Sequence, residues 1–205
     1  MDYNAARIIR LNSAKLKEME TNRDSLLMKD SSEKDGKIEA MLDYILSWTL
    51  RRASSRYKDD NKNILYGYCR EILFKLLDIQ DYQDIIVNDV ETWKQWNRID
   101  LHANIELERN GNKEYHAILI EDKAYTPVHD NQLRRYKEIF EDAYKGNLYK
   151  LHFVLITCHE EAPEEINQSC KEAGFECLPI LELFPNDGIE DSESDLFNEF
   201  WLRYW

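Results

Sequence analysis

The residues of this chain best suited to metal-assisted chemistry stand at the end of an apolar run. Ile118-Leu119-Ile120 leads into Glu121-Asp122-Lys123, and upstream Arg98-Ile99-Asp100-Leu101 sets a further acid in a second strand-like segment. Asn110-Gly111 lies between the two runs and is a strong hairpin signal, because a type I′ turn needs positive φ at both central residues. With that turn, Arg109 pairs with Asn112, and each later pair of residue numbers sums to 221. Asp100 then falls opposite Glu121, and Arg98 opposite Lys123. Directly opposed side chains share a face. One face therefore holds Arg98, Asp100, His102 and Asn104 against Lys123, Glu121, Leu119 and Ala117. The other holds Ile99, Leu101, Ala103 and Ile105 against Asp122, Ile120, Ile118 and His116.

Two carboxylates held about 5 Å apart repel by about 3 kcal/mol at an effective dielectric near 20. A proton or a cation between them removes that cost. Carboxylate oxygens with a nearby backbone carbonyl suit a hard six-coordinate ion, Mg²⁺ first and Mn²⁺ as a substitute. Lys123, two residues beyond Glu121, projects to the same face and can hold or deprotonate a water there. Together these groups form the equipment of metal-assisted hydrolysis. On the residues alone a second reading stays open, an edge-strand charge cluster that blunts aggregation. Asp35-Gly36-Lys37 and Asp60-Asn61-Lys62 have the same triplet pattern but lie in polar connectors, where a solvated charge run suffices.

The elements that must position these groups are legible from hydrophobic periodicity. The first 30 residues read as a polar helix with a weak apolar stripe (Ile8, Leu11, Leu16, Met19), and Ser31 to Gly36 forms a break. Helical spacing runs from Lys37 to Leu50 and again through Ile64, Leu65, Tyr68, Ile72, Leu76 and Leu77, with a basic connector from Arg51 to Lys62. Strands follow from Asp84 to Trp96, from Arg98 to Glu108 and from Tyr115 to Lys123. Asp130 is placed to cap a helix reaching about Tyr144. A strand at Leu148–Thr157, a helix at Pro163–Ala173 and a strand at Phe175–Leu183 come next. A closing helix carries Phe197, Phe200, Trp201, Tyr204 and Trp205. This order predicts one α/β domain over residues 1–205 with a mixed sheet, an N-terminal helical extension at 1–36, and an acidic helix-strand-helix at 159–205 that completes it.

Composition narrows the function classes. No run of the 205 residues approaches the roughly 20 apolar positions that span a bilayer, and arginines interrupt Ala5-Ala6-Arg7-Ile8-Ile9-Arg10, so a cytoplasmic protein is expected. Cys69, Cys158, Cys170 and Cys177 form no CxxC pair, which fits reduced thiols and gives no zinc signature. The formal charge of −13 argues against a general nucleic-acid binder. Residues 159–205, however, hold 13 acidic and 2 basic side chains, whereas residues 1–158 hold 27 and 25. The acidity thus lies beyond the candidate site and leaves room for a basic protein partner there.

Asp100, Glu121 and Lys123, in Arg98-Ile99-Asp100-Leu101 and Ile118-Leu119-Ile120-Glu121-Asp122-Lys123, resemble the signature of the PD-(D/E)XK nuclease superfamily. The likeness is closest to its bacterial members of poorly defined function, in which a Gln-Leu-x-x-Tyr helix follows the lysine strand. Gln132-Leu133-Arg134-Arg135-Tyr136 matches that pattern. Glu39 ahead of Ile45, Leu46, Trp48 and Leu50 matches their first helix, and Val90-Glu91 is a weaker match. Ile99 stands where the name-giving proline would be, which the superfamily often allows.

The resemblance implies a restriction-endonuclease-like core in α-β-β-β-α-β order and Mg²⁺-dependent phosphodiester hydrolysis, with DNA as the expected polymer. Carried across, Asp100 and Glu121 would ligate the metal with the backbone carbonyl of Asp122, and Lys123 would position or activate the attacking water. Glu39 would touch the metal-water shell or a second ion, and Gln132 would steady the site or the scissile phosphate. Strand alternation turns the Asp122 side chain to the opposite face. Arg51, Arg52 and Arg56 in the connector, and Arg134 and Arg135 on the Gln132 helix, are candidate phosphate contacts. A structural role is the simpler reading for His102, and His129 receives no role. An RNA substrate, a homodimer, and a catalytically inactive binding module on the same fold stay open at this point.

Overall fold

The computed structural model describes residues 25–28, 38–129, 131–185 and 190–203. Helix α1 (Ile38–Arg52) buries Ile38, Leu42, Ile45, Leu46 and Leu50, with acidic Glu39 in its first turn and Arg51 and Arg52 in its last. Those charges complement the helix dipole at both ends. Two single 3₁₀ turns, Ser55–Tyr57 and Asp60–Lys62, form the connector to α2 (Asn63–Leu76). Strands β1 (Ile85–Trp96), β2 (Ile99–Arg109) and β3 (Asn112–Lys123) follow. Then come α3 (Gln132–Ala143), β4 (Lys150–Thr157), α4 (Glu164–Ala173) and β5 (Glu176–Pro179). The five strands form one mixed sheet in sequential order, with β1, β2 and β3 antiparallel and β3, β4 and β5 parallel. A mixed sheet flanked by helices is the expected restriction-endonuclease-like architecture.

The Asn110-Gly111 turn forms with φ of 52° and 79°. Its ladder runs from Arg109↔Asn112 to Leu101↔Ile120, the register that the turn residues dictate. β3 is buried on both faces, and alternation sends its side chains to two different clusters. Ile118 and Ile120 join a core with Leu42, Leu46, Leu101 and Ala103 on the α1 side. Ala117 and Leu119 join Leu133, Tyr136, Phe140 and Leu155 on the α3 side. The same alternation, continued past Ile120, delivers Glu121, Asp122 and Lys123 to alternate sides.

Two expectations need correction. The strand predicted to end at Leu183 stops at Pro179, and Ile180–Leu183 is a helical turn, α5. Proline has no N–H to extend a ladder, and its fixed φ suits a helix start. The closing helix is a short α turn, α6 (Asp195–Phe197), that passes into a π-helical turn at Asn198–Leu202. The helix read into the first 30 residues falls outside the described residues except at 25–28, as do the Asp130 cap, Tyr204 and Trp205.

The acidic C-terminal segment works inside the molecule. Glu193 accepts hydrogen bonds from the Ile64 and Leu65 amides, satisfying donors at the start of α2, whose own N-cap residue Lys62 offers no side-chain bond. Glu199 likewise accepts from the Leu26 and Leu27 amides. Trp201 donates its indole N–H to Thr49 in the buried side of α1, at 3.0 Å. No helix among the described residues is long and apolar enough to cross a membrane.

Candidate active site at the end of the hairpin

On the α3 side, Glu121 is fully buried and held by two donors. Lys123 Nζ lies 2.8 Å from its Oε1, and Gln132 Nε2 donates to the same oxygen at 2.5 Å. Gln132 opens α3, where Asn131 in the left-handed region (φ 56°) turns the chain and the Gln132 amide bonds the His129 carbonyl. Its amide nitrogen also donates to the Tyr136 hydroxyl one turn on. The Gln-Leu-x-x-Tyr spacing is thereby explained: Gln132 and Tyr136, four residues apart, share a helix face, and Leu133 packs into the α3-side core.

Asp100 sits between the two sides. Its Oδ1 accepts from Gln95 Nε2 at 3.1 Å and its Oδ2 from the Asp122 backbone amide at 3.4 Å. The expected facing is broken here. Ile99 packs in the α3-side cluster with Leu119, although strict alternation puts it with Leu101 on the α1 side. Gln95 (φ 56°) and the turn residues Asn97 (φ 52°) and Arg98 (φ 69°) are all left-handed, and Gln95 and Asp100 drop out of the ladder between Lys94↔Leu101 and Trp96↔Ile99. Local loss of the pleat rotates Asp100 toward Asp122. It still lies close enough to Glu121 to raise that residue's pKa.

On the α1 side, ligand-competent oxygens of Asp43, Asp100 and Asp122 all lie within 4.8 Å of one another. Asp122 takes the face opposite Glu121, as alternation requires. Asp43 arrives from α1, four residues after Glu39. Sequence patterns alone do not single out Asp43. The one signal it carries is the i,i+4 spacing, which sets Glu39 and Asp43 on one helix face.

Burial dominates the electrostatics of all three inward-facing acids. Glu121 is pushed up to about 8 by burial and by Asp100, against the pull of Lys123. Asp122 is pushed up to about 10 by burial with Asp43 and Asp100 beside it, and Asp43 up to about 6 by burial and then Asp100. Burial works against the charge of Lys123, but Glu121, Asp100 and Glu39 together outweigh it and hold the ammonium above its usual range. Asp43 Oδ1, Asp122 Oδ2 and Glu121 Oε2 are buried without a hydrogen-bond partner. An all-oxygen donor set with such orphaned atoms fits a hard divalent cation.

The remaining candidates are placed as follows. Glu39 Oε1 accepts from the Ala124 amide at 3.1 Å and the Thr126 hydroxyl at 2.7 Å, so it clamps the chain just past Lys123. Arg134 and Arg135 are exposed on the first turn of α3, next to Gln132. Arg51 and Arg52 lie at the other end of α1, roughly 18 Å from Glu39 at about 1.5 Å per helical residue, and Arg56 lies in the 3₁₀ turn that follows. Arg51 bonds Ser47 and Thr92, and Arg56 pairs with Asp89 at 3.0 Å. His102 is stacked on Trp93 and edged by Trp96 and Phe140, and burial lowers it to about 4. That is the structural role expected of it. His129 lines a pocket of about 260 Å³ with Val128, Asn131, Gln132 and Arg134 at the head of α3.

No curated protein matches the chain. A family model described as the PD-(D/E)XK nuclease superfamily matches residues 24–177, which takes in α1, the hairpin, α3, β4 and α4. The match covers more than half of the chain, and its span contains the strand end at Glu121-Asp122-Lys123: the chain belongs to the PD-(D/E)XK nuclease superfamily.

Proposed function

We propose that the protein is a Mg²⁺-dependent nuclease that hydrolyses phosphodiester bonds in DNA, with Mn²⁺ able to substitute. The observation that carries this reading is the Glu121–Lys123 pair at 2.8 Å, set beside Asp100 at the end of the superfamily hairpin. A side-chain ammonium fixed by a buried carboxylate is a preorganised positive charge, and such groups stabilise charge developing on a phosphoryl oxygen. Gln132 holds Glu121, and Glu121 restricts where Lys123 can point, so the lysine positions the attacking water or the scissile phosphate without reorganising. A lysine held in its charged form favours positioning over proton abstraction. When bound, a divalent ion supplies Lewis acidity and a more acidic water.

Substrate contacts are supported at two distances. Arg134 and Arg135 are exposed on the turn that carries Gln132 and are the near phosphate contacts. Arg51 and Arg52 lie roughly 18 Å away along α1, about five base-pair steps of duplex at about 3.4 Å each, and Arg56 follows in the 3₁₀ turn beyond it. They are distal contacts in this reading, and Arg56 would exchange Asp89 for phosphate.

The test is a cleavage panel with plasmid, linear duplex, single-stranded DNA and RNA, in Mg²⁺, in Mn²⁺ and in chelator. Metal-dependent cleavage of DNA is expected, and Lys123→Ala should lower it by about 10²–10³-fold. Equal cleavage by the variant, or no cleavage of any polymer, refutes the reading. Cleavage confined to RNA keeps the chemistry and replaces the substrate.

A further inference from the structure

Strand β1 lies at the edge of the sheet, and its α3-side face carries an aromatic stack close to the candidate site. Trp93 stands directly across from His102 in the ladder, and the two rings lie 4.7 Å apart with 15° between their planes. Trp96 and Phe140 meet the same imidazole edge-on. His102 is buried and its Nδ1 has no hydrogen-bond partner, so aromatic packing holds the ring in place. Burial also keeps the imidazole uncharged at neutral pH, which gives the indole a flat, neutral backing. Trp93 itself stays 39 % exposed. Among the described residues no strand pairs with β1 on its outer side, so the indole face turned away from His102 looks past the sheet edge. A single exposed apolar side chain is ordinary. An indole fixed flat against a buried ring, with its far face open, is a shaped surface.

We propose that Trp93, backed by His102, is a stacking platform for an unpaired nucleobase, so that the substrate is single-stranded where it crosses β1. The proposal rests on the nuclease reading and deepens it by naming the form of the substrate. Trp93 shares the α3-side face with Glu121 and Lys123. Through the pairs Trp93↔His102 and His102↔Leu119 it lies two strands and two residues from Glu121, about 12 Å at about 4.8 Å per strand and about 3.3 Å per residue. A nucleic-acid strand covers that distance in about four nucleotides or fewer, at about 3.4 Å each. Arg98 is exposed in the turn after Trp96, and Lys123 ends β3, so both cations stand at the site end of this path. Glu91, exposed two residues before Trp93 on the same face, sets an acid at the other end. Charge thus draws a phosphate backbone toward the site and opposes its continuation beyond Trp93. In a duplex the faces of each base are covered by its neighbours, whereas an unpaired base offers a free π-face, and stacking on an aromatic ring tolerates any sequence. The platform therefore distinguishes unpaired from paired nucleotides and does not read their sequence.

The test is fluorescence anisotropy of the full chain with labelled single-stranded DNA, a blunt duplex of the same sequence, and that duplex with an internal unpaired loop. Ca²⁺ replaces Mg²⁺ as a hard, oxygen-binding cation, and electrophoresis verifies that each oligonucleotide stays intact. The wild type should bind the single strand and the loop more tightly than the blunt duplex. Trp93→Ala should lose about tenfold on both and change by less than about twofold on the blunt duplex. Trp93→Leu, which still covers His102 but has no π-face, should behave like Trp93→Ala, and Trp93→Phe should recover most of the loss. Circular dichroism verifies that each variant folds. Equal wild-type affinity for the three DNAs, an equal loss on all three in the variants, or wild-type binding in Trp93→Leu overturns the platform. Cleavage by the same preparations in Mg²⁺ keeps the two ideas apart. Cutting by a protein whose single-strand affinity ignores Trp93 leaves the nuclease standing and refutes the platform. Single-strand binding that depends on Trp93 in a protein that cuts nothing upholds the platform and refutes the nuclease.

Discussion

The two sides of the β3 terminus treat buried charge in opposite ways. On the α3 side, Oε1 of Glu121 meets an ammonium and receives an amide N–H, although its Oε2 has no partner. On the α1 side, Asp122 meets only further carboxylates, Asp43 and Asp100, and keeps an orphaned oxygen. Adjacent residues on one strand therefore enter two environments, because the side-chain period of a strand is two. The difference lies in what meets a buried carboxylate: protein donors on one side, further carboxylates on the other. The paired side is preorganised as it stands. The unpaired side is stabilised only when a proton or a cation arrives.

Breaking the paired side should have the largest effect. Removing Lys123 takes away the fixed positive charge, and a cleavage loss of about 10²–10³-fold corresponds to roughly 3–4 kcal/mol of transition-state stabilisation. Next comes the pH response of the ion-free protein. The folded pKa of Glu121, about 8, lies above its ordinary value of 4.5, so the folded state holds this proton more tightly than the unfolded chain. Stability from this group is complete below pH 4.5 and is lost as pH rises toward 8. Chelator-treated protein should melt progressively lower across that window, and Glu121→Gln should flatten the slope. An unchanged slope in the variant would show that Lys123 holds Glu121 ionised throughout.

Smaller effects sharpen the contrast. Without metal, Asp43→Asn should raise stability by about 1 kcal/mol through relieved repulsion, or roughly 2–4 °C in melting temperature for a chain of this size. A lower melting temperature would mean that Asp43 makes a favourable contact with the protein. His102 provides the mildest test. Burial holds it near 4, below its ordinary 6.5, so the unfolded chain takes up a proton that the folded ring refuses. Stability should fall as pH drops from 6.5 to 4, and His102→Gln should lessen the fall. His152, also held near 4, acts with the same sign and leaves a residual slope.

Much of this architecture is legible in the order of the amino acids. Asn110-Gly111 dictates the hairpin register, and every pair from Arg109↔Asn112 to Leu101↔Ile120 follows it. Hydrophobic period locates α1, α2 and the strands, and the Gln-Leu-x-x-Tyr spacing locates α3. The end of the last strand is not legible, because its apolar residues continue into the helical turn after Pro179, and a short apolar run cannot distinguish strand from helix. Alternation also misplaces Asp100, since it assumes an unbroken pleat and the left-handed Gln95 breaks it.

What the sequence determined by itself, then, was local: a turn that needs two positive-φ residues, a strand whose period separates Glu121 from Asp122, and helices whose apolar faces must be covered. The tertiary structure decided which helix covers which face. By packing α1 on one side and α3 on the other, it gave Glu121 the partners Lys123 and Gln132 and left Asp122 facing Asp43. Nothing in the spacing of residues 43, 100 and 122 brings them together, because three segments far apart in the chain meet only when burial of Leu42, Leu46, Ile118 and Ile120 docks α1 against the sheet.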